Sequence, residues 1–63
     1  MSRFVSLKYR DKRINKWHTA DEIYAPEAWD ENRIRQWYYE RHHAYVNSPT
    51  DADIIILENK IVD

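Results

Sequence analysis

The 63-residue chain contains no cysteine, no glycine and two prolines. Without cysteine there is no disulfide framework and no thiolate metal cluster, the supports that small domains often use. Without glycine the phosphate-cradling loops of P-loop and dinucleotide-binding proteins are excluded, because they need backbone that approaches phosphate closely or adopts positive φ. The longest apolar run, Ile54 to Leu57, is far short of the roughly 20 residues that cross a bilayer as a helix. Met1-Ser2-Arg3-Phe4 lacks the long apolar stretch of a secretory signal, and with cysteine absent a cytoplasmic location is expected. A chain of this length removes only about 60% of its extended surface from water on folding, so one small domain covering residues 1–63 is expected.

Hydrophobic residues make up 43% of the chain and charged residues 33%. Nine aromatics (Phe4, Tyr9, Trp17, Tyr24, Trp29, Trp37, Tyr38, Tyr39, Tyr45) are more than disordered chains usually carry, which argues for a globular fold. The net charge of −1 hides an uneven distribution. Residues 1–18 hold Arg3, Lys8, Arg10, Lys12, Arg13 and Lys16 against Asp11, for +5. Residues 19–32 hold Asp21, Glu22, Glu27, Asp30 and Glu31 with no Lys or Arg, for −5. The next block is mildly basic and the last acidic, a pattern that either joins opposite blocks inside one fold or leaves faces of opposite sign.

Val5, Leu7 and Tyr9 alternate with Ser6, Lys8 and Arg10, the period of a strand with one buried face. Asp11-Lys12-Arg13 is polar enough to turn, and residues 14–18 are expected to return as the second strand of a hairpin. Thr19-Ala20-Asp21-Glu22 has capping-box spacing and predicts a short helical turn. Pro26 then disfavours helical geometry at Ala25 but suits the first position of a second helix. That principal helix is expected over about 27–46, with Ile34, Trp37, Tyr38 and Tyr45 along one face of a 3.6-residue period. Asn47-Ser48-Pro49-Thr50-Asp51 ends it. Ile54-Ile55-Ile56-Leu57 has the composition of a strand buried on both faces, expected over about 53–58. Glu58-Asn59-Lys60 either turns the chain so that Ile61-Val62 pairs back, or continues the strand.

The expected architecture is a small α+β domain in which an amino-terminal β-hairpin, one principal helix packed on the sheet and a carboxyl-terminal strand share a core. If the Ile-rich strand lay at an edge it would invite pairing with another chain, so self-association as a homodimer is expected.

Chemistry is sparse. Adjacent His42 and His43 point about 100° apart on a helix, which suits two surface side chains better than one metal ion. Ser2, Ser6, Ser48, Thr19 and Thr50 carry no nucleophile signature, and Asp30 with Glu31 is explained by the helix dipole. A domain this small has little room for both a core and a water-excluding pocket of ~300 Å³. No catalytic residue, metal or cofactor is assigned, and the chain is read as non-enzymatic.

Two binding modes compete. The first is protein recognition by the outward side of the helix, with Tyr39, Arg35, Arg41, His42 and His43 as contact residues, because Tyr, Trp and Arg dominate interface hot spots. The second is nucleic-acid binding by a basic aromatic ribbon of Arg3, Lys8, Arg10, Lys12, Arg13 and Lys16 with Phe4, Tyr9 and Trp17. A pI near 6.3 weighs against the second. The preferred expectation is a regulatory protein that occupies a surface of another protein, with nucleic acid as the alternative partner and no membrane association. Such a profile is compatible with the short accessory proteins that bacteriophages and other mobile elements make to modulate host factors.

Overall fold

The computed structural model describes residues 1–18 and 20–62. Its elements in chain order are β1 (Ser2–Asp11), β2 (Lys16–Trp17), β3 (Asp21–Pro26), α1 (Glu31–His42) and β4 (Ile54–Val62). This is the expected α+β class: an antiparallel sheet, one helix, and a carboxyl-terminal strand bonded to β1.

β1 is the central strand. Tyr9 O accepts from His18 N while Arg10 N donates to Asp53 O, so neighbouring residues address opposite edges of β1. β2 and β3 follow one another along one edge, opposite residues 10–11 and 2–7, and β4 runs along the other, opposite residues 2–9. One register shift occurs in the β1–β4 pairing. Ser6 opposes Glu58 and Leu7 opposes Ile56, which makes Leu57 the extra residue of a bulge.

Alternation along β1 sends Val5 and Leu7 to the helix side, where both are fully buried. They meet Ile34 and Tyr38 from α1, Ala25 from β3, Ile54 from β4, and Val46 from the segment after the helix. Asp30 caps α1 by accepting from Arg33 N at 2.8 Å, which satisfies one of the helix's orphan donors and fixes its start.

Several elements differ from the sequence expectation, each for a local reason. The hairpin return is only two residues long, and its turn is closed by Asn15 at φ 52°, a left-handed position that Asn tolerates. The capping-box helix does not form, because Asp21–Pro26 is strand β3; its proposed cap, Thr19, lies outside the described residues. β1 offers this segment a complete row of partners, and Ile23 and Ala25 fall on the core side while Glu22 and Tyr24 point away. Pro26 ends that strand opposite Ser2, at a position whose missing N–H faces away from β1. The helix is shorter than 27–46 at both ends: Asp30 caps it late, and after His42 the chain turns through residues 43–45. Tyr45 therefore leaves the apolar stripe and lies at the surface under the Arg13 guanidinium, 4.1 Å from its ring centre. β4 continues through Glu58-Asn59-Lys60 to Val62. It is an edge strand and only Ile54 of its Ile-rich run is fully buried, so it is not enclosed on both faces.

Candidate protein-binding face

The helix covers one side of the sheet, and the other side is open. Residues on the open side follow from the register, since cross-strand partners share a face. One row is Tyr24, Phe4 and Lys60; the next is Glu22, Ser6 and Glu58; then come Lys8 with Ile55, and Trp17 with Arg10. Tyr24 is 70% exposed and meets Phe4 edge-on with ring centres 5.5 Å apart. Trp17 is 40% exposed, with the Lys8 ammonium 5.2 Å from its ring centre. Lys60 stands 5.4 Å over the Phe4 ring and also pairs with Glu58 at 3.0 Å. Of the nine aromatic rings, Tyr38 is the one fully buried.

An apolar groove of about 220 Å³ opens beside β3, lined by Ile23, Tyr24, Ala25, Pro26, Trp29 and Trp37. Its two indoles are tilted against each other at 6.2 Å, with Arg33 4.9 Å from Trp29 and Arg41 5.1 Å from Trp37. Tyr24 borders both this groove and the open face.

The basic ribbon is largely consumed inside the fold. Arg10 forms two bonds to the buried carboxylate of Asp53, at 2.7 and 3.1 Å. Arg13 bonds the buried carboxylate of Asp11 at 3.0 and 3.2 Å, and the Arg13 backbone N–H adds a third bond at 2.9 Å. Arg3 reaches Asn59 and the carbonyl of Glu27. Lys8 lies over Trp17, and among the described residues Lys12 and Lys16 alone of the six make no such side-chain contact. The hydrogen bonds from Arg13 hold the Asp11 carboxyl well below the usual carboxylate range despite burial, with His18 adding a further bond. Bonds from Ser48 and then Arg10 lower Asp53 in the same way. No protein-family model, curated protein or solved structure matches this chain.

The open face is consequently neutral. It carries three cations, Lys8, Arg10 and Lys60, and three carboxylates, Glu22, Glu58 and Asp53; Arg10 pairs with Asp53 and Lys60 with Glu58. A surface that reads phosphate needs uncompensated positive charge to release counterions. Protein interfaces are enriched in aromatic residues and carry their polar groups at the rim.

The five helix residues expected to contact a partner are spread over different surroundings. Arg35 is turned inward, bonding Ile54 O at 3.3 Å and pairing with Glu31. Tyr39 is half-buried and packs against the core cluster. His42 stacks on Tyr38 at 4.1 Å between ring centres, with Nδ1 3.0 Å from the Tyr38 carbonyl oxygen. Arg41 and His43 are exposed. Burial, followed by the hydrogen bond to Asp21, raises the Tyr38 phenol far above its ordinary value. Among the described residues no group of three or more His, Cys, Asp or Glu is arranged to hold a metal, and no helix is long and apolar enough to cross a membrane.

Sequence reasoning missed Tyr24 and the Trp29–Trp37 groove. The signal was available in the alternation of Ile23 and Ala25 with Glu22 and Tyr24, which matches a strand as well as Thr19 to Glu22 matches a capping box.

Proposed function

We propose that this chain is a non-enzymatic, cytoplasmic regulatory protein that acts by docking another protein against the open face of its sheet. The observation that carries the reading is the exposed Tyr24–Phe4 and Trp17 surface set among charges that cancel. Rigid aromatic side chains supply large contact area at low entropic cost, and the flanking Lys8, Lys60, Glu22 and Glu58 supply directional polar contacts at the rim. Arg41 and His43 extend the contact surface beyond the groove if the partner reaches over Trp37.

Site-specific photo-crosslinking in the expressing cell tests this. A benzophenone amino acid at position 24 is expected to capture one protein, while the same group at exposed Gln36 on the helix captures none. If position 24 instead captures nucleic acid, and oligonucleotide binding falls steeply with salt and is lost on Lys12→Ala/Lys16→Ala, the basic-ribbon reading replaces this one.

A further inference from the structure

The free edge of β4 is closed at one end and open at the other. At the start of the strand, Ile54 faces away from β1, yet its N–H donates to Thr50 O at 2.9 Å and its carbonyl accepts from Arg35 Nε at 3.3 Å. The bulge at Leu57 then interrupts the edge. Beyond the bulge the register is regular: Glu58, Lys60 and Val62 turn their backbone groups to β1, and Asn59 and Ile61 turn theirs outward. Among the described residues nothing bonds those outward groups. Leu57 and Ile61, one on each side of Asn59, are large apolar side chains exposed by 52% and 41%.

We propose that a second copy of this chain pairs with this edge, antiparallel and centred on Asn59, to form one continuous sheet with both helices on the same side. The occupant follows from the strand's self-complementarity. An antiparallel two-fold through Asn59 places Glu58 opposite Lys60 of the second copy and Lys60 opposite its Glu58. It also sets Leu57 opposite Ile61 at both ends. The outward groups of Asn59 fall directly opposite each other, as a hydrogen-bonded pair requires. A one-residue slip would instead set Glu58 opposite Asn59 and turn unmatched backbone groups to the seam. The closed end at Ile54 limits pairing to the short stretch around Asn59, and the two-fold closes the assembly at two copies because each segment is used up by the other. The seam lies across β1 from Tyr24 and Trp17 and does not rest on the partner-binding reading, although it engages Glu58 and Lys60 at the rim of the open face.

Light scattering on eluting protein, over concentrations into the millimolar range, provides the test. Wild type is expected to dimerise reversibly. Glu58→Lys sets lysine against lysine at both ends of the seam and raises the dissociation constant about tenfold, two cross-strand pairs changing sign together. The charge exchange Glu58→Lys/Lys60→Glu restores the wild-type value. Both side chains are solvent-exposed, and circular dichroism checks that each variant is folded. Because the chain has no cysteine, single Glu58→Cys and Lys60→Cys variants add an independent readout. Mixed and oxidised, they cross-link to each other, since opposed strand positions lie within disulfide reach; each alone cross-links much less. A monomer at every concentration overturns the proposal, as does a dimer indifferent to Glu58→Lys or not restored by the exchange.

Discussion

The two faces of β1 obey different physics although their residues alternate one by one. On the helix side Val5 and Leu7 are wholly enclosed and their neighbours Ile34, Tyr38 and Ile54 interlock with them. On the open side Phe4, Lys8 and Arg10 are partly exposed and held by pairs with Tyr24, Trp17 and Asp53. The enclosed core lies on the first face, and the surface proposed for docking on the second. The lesson is that a domain of 63 residues covers only one side of its sheet, so the other side keeps its aromatic rings at the surface.

The largest expected effect breaks the enclosed face. Ile34→Ala removes a fully buried side chain at the centre of the cluster and costs about 2–5 kcal/mol. A domain of this size holds roughly 3–9 kcal/mol in total, so the variant is expected to be largely unfolded near its former working temperature. Urea denaturation followed by circular dichroism measures it. A loss below about 1 kcal/mol would mean that the helix contributes little to the core.

Smaller but more specific is the response to acid. Asp11 and Asp53 titrate below the ordinary carboxylate value of roughly 3.9 because Arg13, Ser48 and Arg10 bond their ionised forms. The unfolded chain therefore takes up protons first as pH falls. Their contribution is complete above about pH 5 and declines as pH drops through 3.9 toward the lower folded-state values. Asp53→Asn keeps one acceptor but removes the charge, and is expected to cost about 1–2 kcal/mol at neutral pH and to flatten this acid slope. The pH dependence of the urea midpoint separates the variant from wild type.

How far this arrangement was legible beforehand depended on how local each signal was. β1 and the buried pair Ile34 and Tyr38 follow from period two and period 3.6 in contiguous sequence. β3 was hidden because Thr19 to Glu22 carries a helix-start signal, and only pairing with a strand some twenty residues earlier overrides it. The end of the helix was hidden because Tyr45 keeps the stripe's spacing after the backbone has left the helix. Asp11 reads as a turn residue, and its bond to the Arg13 N–H two residues on is that turn; its burial beneath the Arg13 side chain has no sequence signature. The ribbon cations looked free because their partners are remote, 43 residues away for Arg10 and 56 for Arg3. Arg35 likewise read as an outward contact residue until β4 placed Ile54 O beside it.

The smallest expected change in stability is also the sharpest test of the division between faces. Tyr24→Ala removes a 70% exposed ring whose described aromatic contact is the edge-on one with Phe4, and it is expected to cost no more than about 1 kcal/mol. Its N–H and C=O are untouched, and alanine preserves the pairing of β3 with β1 through Ile23 and Ala25. Partner capture should nevertheless disappear, because the ring is the most exposed aromatic of the open face. Urea denaturation and crosslinking from a neighbouring open-face position such as Lys8 give the two readouts on one protein. If Tyr24→Ala destabilises the domain as much as Ile34→Ala does, the open face is a structural layer and the contrast fails. If stability and capture both survive, Tyr24 lies outside the contact and the docking surface must be sought elsewhere on the molecule.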